Sequence, residues 1–248
     1  MSRVVIVTGG SRGIGAATSR LAAERGYAVC VNYRANRTAA DAVVASIEAA
    51  GGTAIAVGAD VASEAEVVRL FSTVDAALGP MHALVNNAGI LERQTRVERM
   101  DAARIDRIFA TNVRGAFVCA REAVKRMSTR HGGKGGVIVN LSSAAAKLGG
   151  ANTYVDYAAS KGAIDSFTIG LGHEVAGEGI RVAAIRPGLI DTEIHASGGE
   201  PDRAQRLSHL VPMKRVGSAE EVANAIVWLM SDDASYVTSA ILDVSGGR

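Results

Sequence analysis

Tyr157 and Lys161 stand four residues apart in a stretch of helical character, so their side chains project from one face. A free phenol titrates at about 10 and is a poor base at neutral pH. A neighbouring ammonium stabilises the phenolate and is expected to lower that value, which would make the pair a general acid/base. Leu141-Ser142-Ser143 closes a run rich in Val and Ile, placing a hydroxyl at the carboxyl edge of an expected strand. A serine there can donate a hydrogen bond to a substrate oxygen as charge changes on it. Each feature alone has an ordinary reading: a chance Tyr and Lys on one helix face, and a serine capping the next segment.

The third element is a glycine turn, Thr8-Gly9-Gly10-Ser11-Arg12-Gly13-Ile14-Gly15, between a Val/Ile run and a helical pattern. Its glycines, at 9, 13 and 15, depart from the common G-x-G-x-x-G spacing. Between a strand and a helix they permit a tight turn and close approach of a pyrophosphate, which the helix N-terminus attracts. A plain βα turn could carry the same string. The end of the second expected strand, Val31-Asn32-Tyr33-Arg34, has no carboxylate to bond the ribose 2′-hydroxyl of NAD. Arg34 would attract the 2′-phosphate of NADP and can bond it bidentately, with Arg12 as a second charge. NADP(H) is therefore favoured. NAD(H) stays the alternative if both arginines merely face solvent.

These groups need a scaffold. The 248 residues include 28 Gly and 4 Pro, with 48% hydrophobic and 21% charged residues, which excludes disorder and collagen-like repeats. Lys plus Arg number 27 against 25 Asp plus Glu, too even for nucleic-acid binding. No uninterrupted apolar stretch is long enough to span a membrane, and the apolar run before Thr8 is too short for a signal peptide, so a cytoplasmic protein is expected. Cys30 and Cys119, flanked by apolar residues, read as buried, reduced thiols. His82, His131, His173, His195 and His209 show no metal-ligand spacing; His195 lies near a candidate lid, most simply as a loop histidine.

Short Val/Ile runs at 4–7, 28–31, 53–57, 83–85, 137–141, 180–185 and 241–244 alternate with helical patterns at 14–25, 38–50, 64–78, 102–130, 154–176 and 219–230. That alternation predicts βαβ units. Continuous apolar strands imply burial on both faces, hence an α/β, Rossmann-like, doubly wound parallel sheet of about seven strands with helices on both faces. No linker divides the chain, so residues 1–248 are expected to form a single dinucleotide-binding and catalytic domain. Segments 131–136 and 196–205 look irregular, and 193–215 is expected to cover the substrate.

The combined motifs resemble the short-chain dehydrogenase/reductase family over nearly the whole chain. The resemblance rests on Thr8 to Gly15, Asp60-Val61, Asn86-Asn87-Ala88-Gly89, Thr111-Asn112-Val113, Ser143 with Tyr157 and Lys161, and Pro187-Gly188 with Thr192. It implies that Tyr157 exchanges a proton with the substrate oxygen and that Lys161 lowers its pKa and binds the nicotinamide ribose. Ser143 would orient the substrate, and Asn112 would hold a water in a proton relay. Gly9, Ser11, Arg12, Gly13, Ile14, Gly15, Tyr33, Arg34, Asn87, Ala88 and Gly89 would line the cofactor cleft, with Asp60 and Val61 at the adenine. Pro187, Gly188, Ile190 and Thr192 would lie toward the carboxamide. Asn86 and Asn87 could equally serve as braces. The Ser143 to Tyr157 spacing of fourteen is one longer than the family's usual spacing, which leaves Ser142 as the alternative.

Within the family the sequence looks most like 3-oxoacyl-carrier-protein reductases and glucose dehydrogenases, an NADP(H)-dependent ketone/secondary alcohol oxidoreductase. An NAD-dependent sugar or polyol dehydrogenase is the alternative enzyme, and a non-catalytic dinucleotide-sensing protein the alternative of another class. The resemblance also implies a homotetramer. Acyl carrier protein as a partner rests only on basic residues such as Arg130.

Overall fold

The structure, a computed structural model, describes residues 3–248 apart from the side chains of His195 and Ser197. Its elements in chain order are β1 (Arg3–Val7), α1 (Gly13–Glu24), β2 (Tyr27–Tyr33), α2 (Arg37–Ala49), β3 (Thr53–Gly58), α3 (Glu64–Leu78) and β4 (Met81–Asn86). There follow α4 (Ala102–Phe109), α5 (Gly115–Met127), β5 (Gly136–Leu141), α6 (Ala145–Leu148), α7 (Val155–Val175) and β6 (Ile180–Pro187). The last are α8 (Ile194–Ser197), α9 (Arg203–Arg206), α10 (Ala219–Met230) and β7 (Ala240–Val244). All seven strands join one parallel sheet in the order β3-β2-β1-β4-β5-β6-β7. This is the doubly wound, Rossmann-like arrangement.

Alternate strand residues feed two cores. In β1, Val5 and Val7 pack with Ala16 and Ala22 of α1, Val43 and Ile47 of α2, and Val222 and Ile226 of α10. Val4 and Ile6 pack on the other face with Leu70 and Phe71 of α3, Cys119 and Met127 of α5, and Val175 of α7. Both faces being covered explains why the strands read as apolar runs without alternation. Cys30 and Cys119 are free and fully buried, and burial pushes their thiols up, that of Cys119 to about 12.

The pattern at 102–130 does not form one helix. Between α4 and α5 the backbone widens into a π turn over Ala110–Arg114. A Cβ on Gly115 would lie 2.9 Å from Val61 Cγ2 and 3.0 Å from its carbonyl oxygen, so α5 starts where the chain presses on β3's exit loop. The helix then stops at Met127, because Ser128 is extended and its hydroxyl bonds buried Glu178. Segment 196–205, read as irregular, holds parts of the short helices α8 and α9.

Candidate active site and nucleotide cleft

In a sheet of this order, connections leave β1 and β4 toward opposite faces, opening a crevice at their carboxyl ends. The glycine turn follows β1 and Asn87-Ala88-Gly89 follows β4. Gly9 and Gly13 adopt φ of +61° and +48°, where a side chain would be strained. Thr8 Oγ1 accepts the Asn87 and Ala88 N–H groups at 3.0 Å each. Asn87 Nδ2 donates to the carbonyls of Thr8 and Gly9, at 2.9 and 3.1 Å. Asn32, buried at the end of β2, accepts from Gly9 N–H at 3.3 Å and donates to the carbonyls of Val57 and Ala59 at 3.1 Å each. Three strand ends are thus tied to one turn. Asn86 belongs to a buried chain in which it donates to Asn140 at 3.0 Å and Asn140 donates to Thr168 at 2.9 Å, bracing β4 against β5 and α7.

A cavity of about 570 Å³ opens there, within the range of small-molecule sites. It is lined by Gly9, Ser11, Arg12, Gly13, Ile14, Tyr33, Arg34, Asp60, Val61, Asn87, Ala88, Gly89 and Thr192 among the expected cofactor residues. No side chain caps the N-terminus of α1, leaving its N–H groups to an anion, whereas Asn36 and Asp101 cap α2 and α4. Arg12 and Arg34 are exposed, and neither forms a salt bridge among the described residues. A flat cleft, a glycine cradle, an uncapped helix and two unpaired guanidinium groups suit a phosphate-rich dinucleotide.

Six expected cofactor residues do not line this cavity: Tyr157 and Lys161, described below, and Gly15, Pro187, Gly188 and Ile190. Gly15 lies beneath it: a Cβ there would sit 2.3 Å from the Gly9 carbonyl oxygen and 2.6 Å from Asn87 Nδ2. Pro187 ends β6, its carbonyl accepting from Ala144 N–H at 2.9 Å. Gly188 passes so close to Ser245 that a Cβ would be 2.7 Å from its Cα. Ile190 is 5% exposed within the core beside α10 and forms a bridge to Gly217. Gly15→Ala should therefore push the turn off Asn87. We expect at least about a tenfold weaker dinucleotide Kd from overpacking of this size. Fluorescence titration with NADPH checks it, and an unchanged Kd would refute the packing role.

The other cluster stands beside the cleft. Lys161 is 4% exposed, donates to the Leu141 carbonyl at 2.6 Å and lies 5.6 Å from the centre of the Tyr157 ring. A Cβ on Gly89 would be 3.5 Å from both Lys161 Nζ and Asn112 Oδ1, so the cleft wall touches both groups. Ser143 Oγ accepts from Ala145 N–H at 3.1 Å and bears on the Tyr157 phenol closely enough to lower its pKa, while Ser142 is buried and donates to the Lys161 carbonyl at 3.2 Å. Asn112, on the π turn, accepts from Ile90 N–H at 2.8 Å and donates to the Ile90 carbonyl and to Ser160 at 3.0 and 3.1 Å. Both of its N–H groups are used by protein, which leaves only spare acceptor capacity on Oδ1.

The electrostatics correct one expectation. Burial raises the Tyr157 phenol above its ordinary value, against the lowering effects of the Ser143 hydrogen bond and the Arg203 charge. Burial also lowers the Lys161 ammonium to about 8, partly opposed by Asp165. Desolvation disfavours the phenolate more than these neighbours favour it. The phenol is protonated at neutral pH, poised to donate.

Periodicity gave no sign of Arg104–Asp156. Arg104 Nε meets Asp156 Oδ2 at 2.7 Å, with side chains 10% and 2% exposed. Arg104 also donates to the Arg93 carbonyl at 2.7 Å, and Asp156 Oδ1 accepts from Tyr157 N–H at 2.9 Å. The pair pins α4 and the loop after β4 to the start of α7. The sequence signal available was a charged residue beside Tyr157. His195 adds nothing here because its side chain lies outside the described residues. Among the described residues there is no group of side chains that could hold a metal ion, and no helix long and apolar enough to cross a membrane.

Comparison with known proteins agrees with this geometry. Residues 9–248 match the family described as enoyl-(acyl carrier protein) reductase. The chain is 56% identical to the uncharacterized oxidoreductase YgfF of Escherichia coli (strain K12), covering 99% of each protein. It is 40% identical to 3beta-hydroxysteroid dehydrogenase 1 of Eggerthella lenta, covering 99% of this chain and 93% of that one. A short-chain dehydrogenase of Burkholderia cenocepacia, solved in complex with NADP, superposes with a TM-score of 0.91 at 32% identity, covering 99% of this chain and 97% of the other.

Proposed function

The chain belongs to the short-chain dehydrogenase/reductase family, as an NAD(P)-dependent oxidoreductase, and we propose that it interconverts a ketone and a secondary alcohol using NADP(H). The observation that carries this reading is the meeting of Ser143 and Tyr157, with Lys161 beside them, against the wall of the nucleotide cleft at Gly89. The dinucleotide, when bound, supplies or accepts the hydride, and the protein supplies position and electrostatics.

In the reduction direction Tyr157 Oη donates its proton to the carbonyl oxygen while Ser143 Oγ donates a hydrogen bond to the same oxygen. Developing negative charge is thereby stabilised where it forms. The Lys161 ammonium stabilises the phenolate left behind, and its position by Gly89 suits a contact with the nicotinamide ribose. Asn112 acts through Ile90 and Ser160, holding the backbone around Lys161, with Oδ1 free to accept from a relay water. Asp60 and Val61 would meet the adenine, Thr192 the nicotinamide end, and the segment 193–215 would cover the substrate. We take residues 1–248 as one catalytic domain.

NADP(H) is supported by the absence of a carboxylate at Asn32-Tyr33-Arg34, by the unpaired Arg12 and Arg34 and by the NADP complex of a relative. Arg34→Ala and Arg12→Ala should each raise KM for NADPH about tenfold or more, by loss of a charge-assisted bond, with little change for NADH. Initial rates with both cofactors check this. A wild-type preference for NADH would reinstate the NAD-dependent sugar or polyol dehydrogenase.

The general test is absorbance of NADPH against a panel of ketones. A protein that binds NADPH tightly yet turns over none would be the dinucleotide sensor, a reading the presence of Asn112, Ser143, Tyr157 and Lys161 disfavours. A 3-oxoacyl-carrier-protein reductase is one form of the proposal, supported by relatives of that name at 39% and 35% identity. Carrier-protein docking through Arg130 has less support, since Arg130 pairs with Glu178 at 3.2 Å. We also propose a cytoplasmic homotetramer. Phe117, 46% exposed and stacked on Phe167 at 3.7 Å, and Ile169, 42% exposed, give α5 and α7 an apolar outer face suited to subunit packing.

A further inference from the structure

Cations that lack an acidic partner are informative where they are also withdrawn from solvent. In a second cavity, of about 540 Å³, Lys147 pairs with Asp243 and Arg215 with Glu221. Arg248, in the same lining, has no acidic partner among the described residues, and its Nη1 is buried with no hydrogen bond. Arg203, the first residue of α9, is half-buried and likewise forms no salt bridge there. Its guanidinium lies 5.3 Å from the centre of the Tyr154 ring. Tyr154 is 4% exposed and its hydroxyl is buried without a partner. It sits one turn before Tyr157.

Buried donors without partners are rare because each forfeits its hydration, and like charges gathered there add repulsion. Burial is the larger influence on both ends of this region, raising the Tyr157 phenol and lowering Arg248, and the Arg203 charge adds a lowering effect at each. The Arg248 tail is held in place, since Gly246 accepts from Met213 N–H at 3.2 Å and Gly247 packs on Pro212. The Arg203 guanidinium and the Tyr154 hydroxyl, neither of them hydrogen-bonded among the described residues, thus stand together one turn before the proposed acid, and the Arg203 charge also reaches Arg248.

Resting on the oxidoreductase reading, we propose that the substrate carries an oxyanion, a carboxylate or a phosphate, which Arg203 and the Tyr154 hydroxyl bind from the covering segment with Arg248 behind them. Bidentate pairing of guanidinium with such groups is the strong form of this contact. The anion would also draw α9 down over the carbonyl, linking recognition to closure.

The test compares matched pairs with NADPH: keto acids against their methyl esters, and phosphorylated ketones against the free hydroxyketones. We expect kcat/KM to favour the charged member of one series by at least about tenfold, and that series identifies the oxyanion. Arg203→Gln should collapse this charged-to-neutral ratio toward one, and Arg248→Gln should reduce it less. A wild-type ratio near one in both series, with ready turnover, would overturn the oxyanion site and leave the oxidoreductase standing. No turnover of any member would overturn both. Retention of a large ratio in Arg203→Gln would overturn the role of Arg203.

Discussion

Tyr157→Phe is expected to lower kcat for carbonyl reduction by about 10²- to 10⁴-fold, the range for loss of a general acid, with dinucleotide binding retained. The change removes only the phenolic oxygen and keeps the ring beside Lys161, so a large rise in Kd for NADPH would mean that Tyr157 serves binding instead. Ser143→Ala should follow it, whereas Ser142→Ala, which loses a hydrogen bond to the Lys161 carbonyl, should be mild. The reverse order would reassign the role. The same chemistry sets the pH profile. Below about 8 Lys161 carries its charge, and the phenol, raised by burial, carries its proton. Reduction should therefore be sustained at neutral pH and decline as pH rises through about 8, while alcohol oxidation, which needs the phenolate, should increase with pH. A reduction rate that climbs through that interval would contradict the assignment.

Asp156→Ala should be the most destabilising single change near the site. It strips the Arg104 guanidinium of its carboxylate in a place where the side chain is 10% exposed, and breaking such a buried pair costs about 3–5 kcal/mol. Arg104→Met should cost less, because Asp156 keeps the Tyr157 N–H. The double variant Arg104→Met, Asp156→Leu should recover part of the loss, since replacing both ions with apolar groups removes the unpaired charge. Urea denaturation of the three variants checks the order. If Asp156→Ala moved stability by less than about 1 kcal/mol, the pair would be ornamental, as exposed pairs usually are.

The strands were legible because a doubly covered parallel sheet requires both faces apolar, which leaves unbroken Val and Ile runs such as Val4 to Val7. The cleft was legible at Thr8 to Gly15 because glycine is strongly favoured where φ is positive or a backbone presses close, as at Gly9 and Gly13. What stayed hidden depends on residues distant in sequence. Arg104 and Asp156 are 52 residues apart, and no local pattern couples them. The bridge between Ile190 and Gly217 is hidden in the same way. The Tyr157 phenol illustrates a different gap, because spacing gives the neighbour that lowers a pKa but not the burial that raises it.

The π turn at Ala110–Arg114 has a consequence for how this chain tolerates change. A wide turn stores one residue more than an α-helical turn, so it works as a phase shifter between α4 and α5. Deleting a single residue there would close the turn into an ordinary helical one and let the two helices fuse in their present phase. The residues of the turn itself would be redirected, Asn112 away from Ile90 and Ser160 among them, so the segment should resist length changes that the 193–215 segment would absorb.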